Sequence, residues 1–96
     1  MQIRNVVHDA LRRFISEDDA TGLDPAVAKR VRRIVSFLQD MERKVEIGLV
    51  PGWRARPSTG GVLERLSVPV TERCRLTFWI DNGQTQIVDL DCIEGR

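Results

Sequence analysis

In ERCRLTFWIDNGQTQIVDLD, residues 72–91, two alternating segments flank the pair Asn82-Gly83. In the first, Leu76, Phe78 and Ile80 share one face, and Arg75, Thr77 and Trp79 share the other. That period of two describes a half-buried strand, and Asn-Gly is a strong hairpin signal, so QIVDLDCI returns as the partner strand. Two registers compete. A two-residue turn pairs Asp81 with Gln84, sets residue 74 opposite residue 91 and puts Cys74 and Cys92 on opposite faces. Matching the apolar faces instead pairs Phe78 with Val88 and sets Cys74 opposite Cys92. The conflict implies a bulge or a three-residue loop. The arginines raise a second question, because a cationic group on a strand is costly unless it reaches water, a carboxylate or a bound anion.

Working outward, VLERLSVPV places Leu66, Val68 and Val70 on one face. Pro69 cannot donate to a ladder and marks an edge or a bulge. Upstream the period changes to that of helices. In PAVAKRVRRIVSFLQDMER, residues Val27, Val31, Ile34, Val35, Leu38 and Met41 form one stripe, with Lys29, Arg30, Arg32 and Arg33 largely off it. Asp24-Pro25 reads as its N-cap and first turn, and the helix should run for about 17 to 20 residues. VHDALRRFISEDD puts Val7, Leu11, Phe14 and Ile15 at helical spacing, after a short MQIRNVV alternation that suits an edge strand. Pro51-Gly52 is a turn, and WRARPSTGG is too polar and aperiodic for a helix. The expected architecture is α+β: two N-terminal helices covering one face of a curved antiparallel sheet of three or four strands. The other face is left open, and Arg75 lines it.

The chain has 96 residues. That length suits one domain, residues 1–96, with a single modest core. No run approaches the roughly 18 apolar residues of a membrane span, and the start lacks the apolar core of a signal peptide. A cytoplasmic protein with no membrane partner is expected. Cys74 and Cys92, with one histidine, offer no zinc-ligand spacing, so no metal and no cofactor are expected, and the cysteines should be reduced thiols. The formal net charge is +1, but residues 25–44 carry +4, residues 54–75 carry +3 and residues 81–96 carry −3. Thirteen of the fifteen basic residues are arginine, whose planar fork suits phosphate and carboxylate. A genome rich in arginine codons gives the same excess.

Other motifs carry less. His8 has no Cys or Ser in a catalytic arrangement and reads as a surface or helix-end residue. Thr59-Gly60-Gly61 lacks the Lys and strand-to-helix setting of a phosphate loop and reads as a turn. Trp53, after Pro-Gly, belongs in the core. Trp79 on the open face suits either packing or stacking on a base. Arg30 and Arg33 fit a solvated helix face as well as a nucleic-acid contact. A near-neutral chain is not a general nucleic-acid binder, although a focused site remains open.

Taken together, PGWRARPSTGGVLERLSVPVTERCRLTFWIDNGQTQIVDLD resembles the C-terminal half of the plasmid-maintenance killer proteins, the HigB-type branch of the RelE/ParE toxin superfamily. Gly52-Trp53-Arg54, Gly60, Ser67 with Val68 and Val70, Arg75-Leu76-Thr77-Phe78 and Val88-Asp89 stand where that pattern places them. The match runs from Pro51 to the end of the chain, and RLTF with the GWR spacing is its most specific part. The resemblance implies a RelE-like fold and the toxin of a type II toxin–antitoxin system, an mRNA interferase that enters the ribosome. Its partners are mRNA and a cognate helix-turn-helix antitoxin.

Such endoribonucleases use no metal. A 2′-hydroxyl attacks the adjacent phosphate, cationic side chains stabilise the pentacoordinate oxyanion, and a base and an acid move protons. The resemblance puts Arg75 at that phosphate. Arg56 stands where the family usually has His, Leu66 and Cys74 replace two tryptophans, and Glu94-Gly95-Arg96 falls on the family's Asp-Tyr-His. Arg56 and Arg96 are therefore substitutes at the catalytic positions, and Arg54, Arg73, Thr77 and Trp79 are the expected RNA-binding residues. Arginine is a poor general acid or base near neutral pH. A catalytically inactive antitoxin-binding homologue and a ParE-like gyrase inhibitor are accordingly the alternatives.

Overall fold

The structure, a computed structural model, describes residues 1–55 and 63–94. Asp24 accepts the backbone N–H of Ala26 at 2.8 Å, and Pro25 sets the first turn of a helix, labelled α2, over Pro25–Asp40. Its 16 residues fall just short of the length expected. Ala28, Val31, Ile34, Val35 and Leu38 form its buried stripe. The preceding helix, α1, spans Asp9–Glu17 and buries Ala10, Leu11 and Phe14. His8 is its N-cap, its Nδ1 accepting the Leu11 N–H at 3.1 Å. Val7, assigned by periodicity to the apolar stripe, lies ahead of the helix and is exposed. The Met1 ammonium donates to the carbonyls of Leu38, Gln39 and Met41, satisfying groups that the end of α2 leaves without helical partners.

The strands are β1 (Gln2–Ile3), β2 (Leu63–Thr71), β3 (Cys74–Asp81) and β4 (Gln86–Glu94), in the spatial order β1-β4-β3-β2. β2, β3 and β4 are antiparallel, but β1 runs parallel to β4. The fold is α+β with a mixed sheet, which corrects the all-antiparallel expectation. Two helices separate β1 from the hairpins and supply the crossover that a parallel pair requires, whereas two residues of alternation fix no direction. The register shifts between Pro69 and Thr71, so the proline marks both an edge strand and a bulge.

The hairpin follows neither candidate pairing, although the bulge that their conflict implies is present. Asp81 pairs with Gln86, leaving a four-residue loop. Asp81 Oδ1 accepts the N–H of Gly83 at 2.9 Å and of Gln84 at 3.2 Å, which widens the turn beyond the two-residue form. The left-handed conformation falls on Thr85, at φ 53°, and not on Gly83. A second shift lies between Thr77 and Trp79, opposite Asp89, whose φ is also 53°. This bulge lets both Ile87 and Leu90 turn inward, where both are fully buried.

One face of the sheet, with Leu66, Val68, Val70, Leu76, Phe78, Ile80, Ile87 and Leu90, packs under the helices as the core. A 3-10 helix, Lys44–Leu49, follows α2 and buries Ile47. Lys44 Nζ contacts Glu64 Oε1 at 2.8 Å, tying this helix to β2. Trp53 is in the core, edge-on to Phe37 with ring centroids 6.2 Å apart, as expected for a tryptophan after Pro-Gly. Gly52 makes that turn at φ 85°, a value L side chains adopt only with strain. Among the described residues no helix is long and apolar enough to cross a membrane.

Candidate functional site

The sheet face away from the helices is built in cross-strand rows. Arg65 of β2 opposes Trp79 of β3, which opposes Val88 of β4. The next row is Ser67, Thr77 and Asp91, and the one after it is Pro69, Arg75 and Ile93. These residues share a face because the strand period is two and Leu66, Val68, Leu76 and Phe78 all turn the other way into the core.

Arg75 is exposed and reaches diagonally back across the ladder, its Nε donating to Ser67 Oγ at 2.6 Å. Ser67 therefore fixes the direction of the guanidinium. The bond uses Nε, so the terminal nitrogens keep their donors for another acceptor. Thr77, in the centre of the face, is buried to 8% exposure; the expectation of an open surface there is corrected. Thr77 is a small side chain on an interior strand, between Ser67 and Asp91. Trp79 is half-buried beneath Arg65, whose guanidinium carbon lies 5.3 Å from the ring centroid, a cation–π arrangement.

Asp91 is the acidic member of the Thr77 row, and its Oδ1 accepts the Cys92 backbone N–H at 2.8 Å. At the far end of the sheet, Arg4 and then the loop N–H groups of Gln84 and Gly83 hold the Asp81 carboxyl below its ordinary range.

The remaining expected residues lie apart from this row. Arg73 is in the β2–β3 turn and lines a cleft of about 700 Å³ with Asp24, Arg30 and Glu72 at the start of α2. Arg30 Nη1 is engaged there with the Val70 carbonyl at 3.0 Å. Arg54 is exposed just after the Gly52 turn with a left-handed φ of 54°. Arg56 and Arg96 lie outside the described residues. The structure thus groups Arg75, Thr77 and Trp79, adds Arg65, Ser67 and Asp91, and places Arg73 at an edge. Among the described residues no group of three or more His, Cys, Asp or Glu side chains is placed to hold a metal ion.

Arg65 was legible from the alternation that sends Leu66 and Val68 inward. Asp91 was not, because its face depends on the bulge at Asp89. Chemically, two adjacent rows set a guanidinium held by a serine hydroxyl near a carboxylate on the sheet face away from the helices, with the Thr77 hydroxyl buried between Ser67 and Asp91. This face can bind an oxyanion at Arg75 and accept a proton at Asp91. Compared with known proteins, the chain matches no family model and no curated relative.

Proposed function

We propose that this chain is the toxin of a type II toxin–antitoxin pair, a RelE-like, metal-independent endoribonuclease that cuts mRNA at the ribosome with reduced proton-transfer machinery. One observation carries the reading. The arginine of the RLTF segment, where the resembled family places its phosphate contact, is held by Ser67 on the sheet face opposite the helices. In this reading Arg75 donates to the scissile phosphate as its negative charge grows. Asp91 takes the proton of the attacking 2′-hydroxyl, a role that neither Arg56 nor Arg96 can fill near neutral pH; the bond from phosphorus to the 5′-oxygen breaks, and the departing oxygen takes its proton from water. Trp79 packs against the RNA strand beside the reacting phosphate, Arg54 at the Gly52 turn and Arg73 at the β2–β3 turn contact it farther along, and Thr77, being buried, supports the face from beneath.

A second reading, an inactive homologue that keeps antitoxin recognition, is favoured by the placement of the single histidine. His8 is spent as the cap of α1, and the sequence has no tyrosine. The test is induction of the gene alone and together with its neighbouring frame, where a helix-turn-helix antitoxin is expected. Ribosome-dependent mRNA cuts, suppressed by the neighbour, are the result expected. Blocked DNA supercoiling without mRNA cuts replaces the nuclease with a gyrase inhibitor. Binding to the neighbour without either effect leaves the inactive homologue.

A further inference from the structure

We propose that Cys74 and Cys92 form a thiol-modification site that a low-molecular-weight disulfide converts into an intramolecular bond. Their sulfurs are 2.8 Å apart, although the residues are 18 positions apart in sequence. No disulfide joins them in the structure. The separation is only about 0.8 Å longer than the usual S–S bond of about 2.05 Å, so closure asks for little side-chain movement.

The register explains the pairing. Cys74 opposes Glu94, and Cys92 opposes Leu76, so the two cysteines are diagonal neighbours on the helix side of β3 and β4. They share a face only because the bulge at Asp89 reverses the orientation of the end of β4.

Exposure assigns the roles. Cys92 is half-buried, whereas Cys74 exposes 3% of its surface. The Cys92 thiolate attacks one sulfur of oxidised glutathione; a protein–glutathione disulfide forms and one glutathione thiolate leaves. Cys74 then attacks the Cys92 sulfur, the Cys74–Cys92 bond forms and the second glutathione thiolate leaves. Two protein thiols are oxidised, one glutathione disulfide is reduced to two thiols, and the two cysteine protons pass to the departing thiolates. The resulting bond fastens β4 to β3 directly beside Arg75 and Asp91. This inference does not rest on the proposed function, because its readout is mass and not activity.

The experiment treats the reduced, folded full chain with excess oxidised glutathione, quenches by alkylation and measures intact mass. Wild type is expected to lose two hydrogens, take up no alkyl group and recover both thiols with dithiothreitol. Cys74→Ser should stop as the glutathione adduct. Cys92→Ser should react about tenfold or more slowly, because its remaining thiol is buried. Cys74→Ala, which keeps the site apolar, stands in if the serine variant does not fold. Wild type that retains two alkylatable thiols, that stops at the mixed disulfide, or that cross-links between molecules overturns the proposal.

Discussion

Asn5 and Asp89 clamp each other across the parallel edge of the sheet. Asn5 Nδ2 donates to Asp89 Oδ1 at 2.7 Å, and the Asp89 N–H donates to Asn5 Oδ1 at 3.0 Å. Main-chain bonds bracket the pair: Arg4 N–H to the Ile87 carbonyl at 2.7 Å and Leu90 N–H to the Asn5 carbonyl at 3.2 Å. The extra residue of the bulge is thus held by a side chain 84 positions earlier, and with it the face on which Asp91 and Cys92 emerge.

Removing the clamp should lower stability without abolishing the fold. Asn5→Ala deletes one hydrogen bond to a carboxylate and one to a backbone N–H at an exposed position, and should cost about 1 to 2 kcal/mol in chemical denaturation. Asp89→Gly and Asp89→Ala lose the same side-chain bond but differ at a positive φ. Glycine should be the more stable by about 1 kcal/mol. An alanine variant as stable as the glycine variant would show that the left-handed bulge is not formed.

The central strand gives a sharper test of facing. Leu76 and Phe78 are fully buried, and truncating either to alanine should cost roughly 2 to 5 kcal/mol. Thr77→Ala should cost less, since it removes a smaller group from the opposite face. Equal losses of denaturation midpoint in all three variants would mean that both faces of β3 are core.

These particulars show what the sequence could disclose. The alternation in 74–81, the capped stripe of α2 and the burial of Trp53 were legible because period and turn chemistry act locally. The direction of β1 and the place of the bulge, at Asp89, were not, because both depend on Asn5 meeting β4 after two intervening helices. Of the site, Arg75 and Trp79 followed from the face assignment. Ser67 as the guanidinium's partner and Asp91 as the neighbour of Thr77 required the register, which no residue in the hairpin specifies alone.

Acid should weaken the junction of β1 with the hairpin loop. Asp81 has its carboxyl depressed, first by its hydrogen bond to Arg4 and then by the loop N–H groups of Gln84 and Gly83. A depressed carboxyl contributes stability that is fully present above its unfolded value, about 3.9, and is lost as pH falls through the lower folded value. Wild type should therefore exceed Asp81→Asn in stability near pH 7, with the gap closing below about pH 4. A gap that is constant from neutral pH to acid would remove the ionised carboxylate as its cause.

Arg75 separates the structural from the functional reading of the open face. If Arg75 is only a solvated strand residue bonded to Ser67, Arg75→Ala changes stability modestly and leaves growth arrest intact. If it clamps the scissile phosphate, the loss should reduce mRNA cleavage by about 100- to 1000-fold in a folded protein. Arg75→Lys should recover only part of that, because an ammonium cannot both bond Ser67 and present a planar fork to phosphate. Ser67→Ala, which frees the guanidinium without removing it, should fall between wild type and Arg75→Ala. Arg12→Ala, on the exposed surface of α1 and paired with Asp9 at 3.1 Å, is the control. Cleavage and growth arrest are measured on induction of each variant, with denaturation midpoints taken in parallel. Full toxicity of Arg75→Ala beside a toxic wild type would remove the phosphate clamp, and Ser67→Ala at wild-type activity would remove the positioning role of the serine.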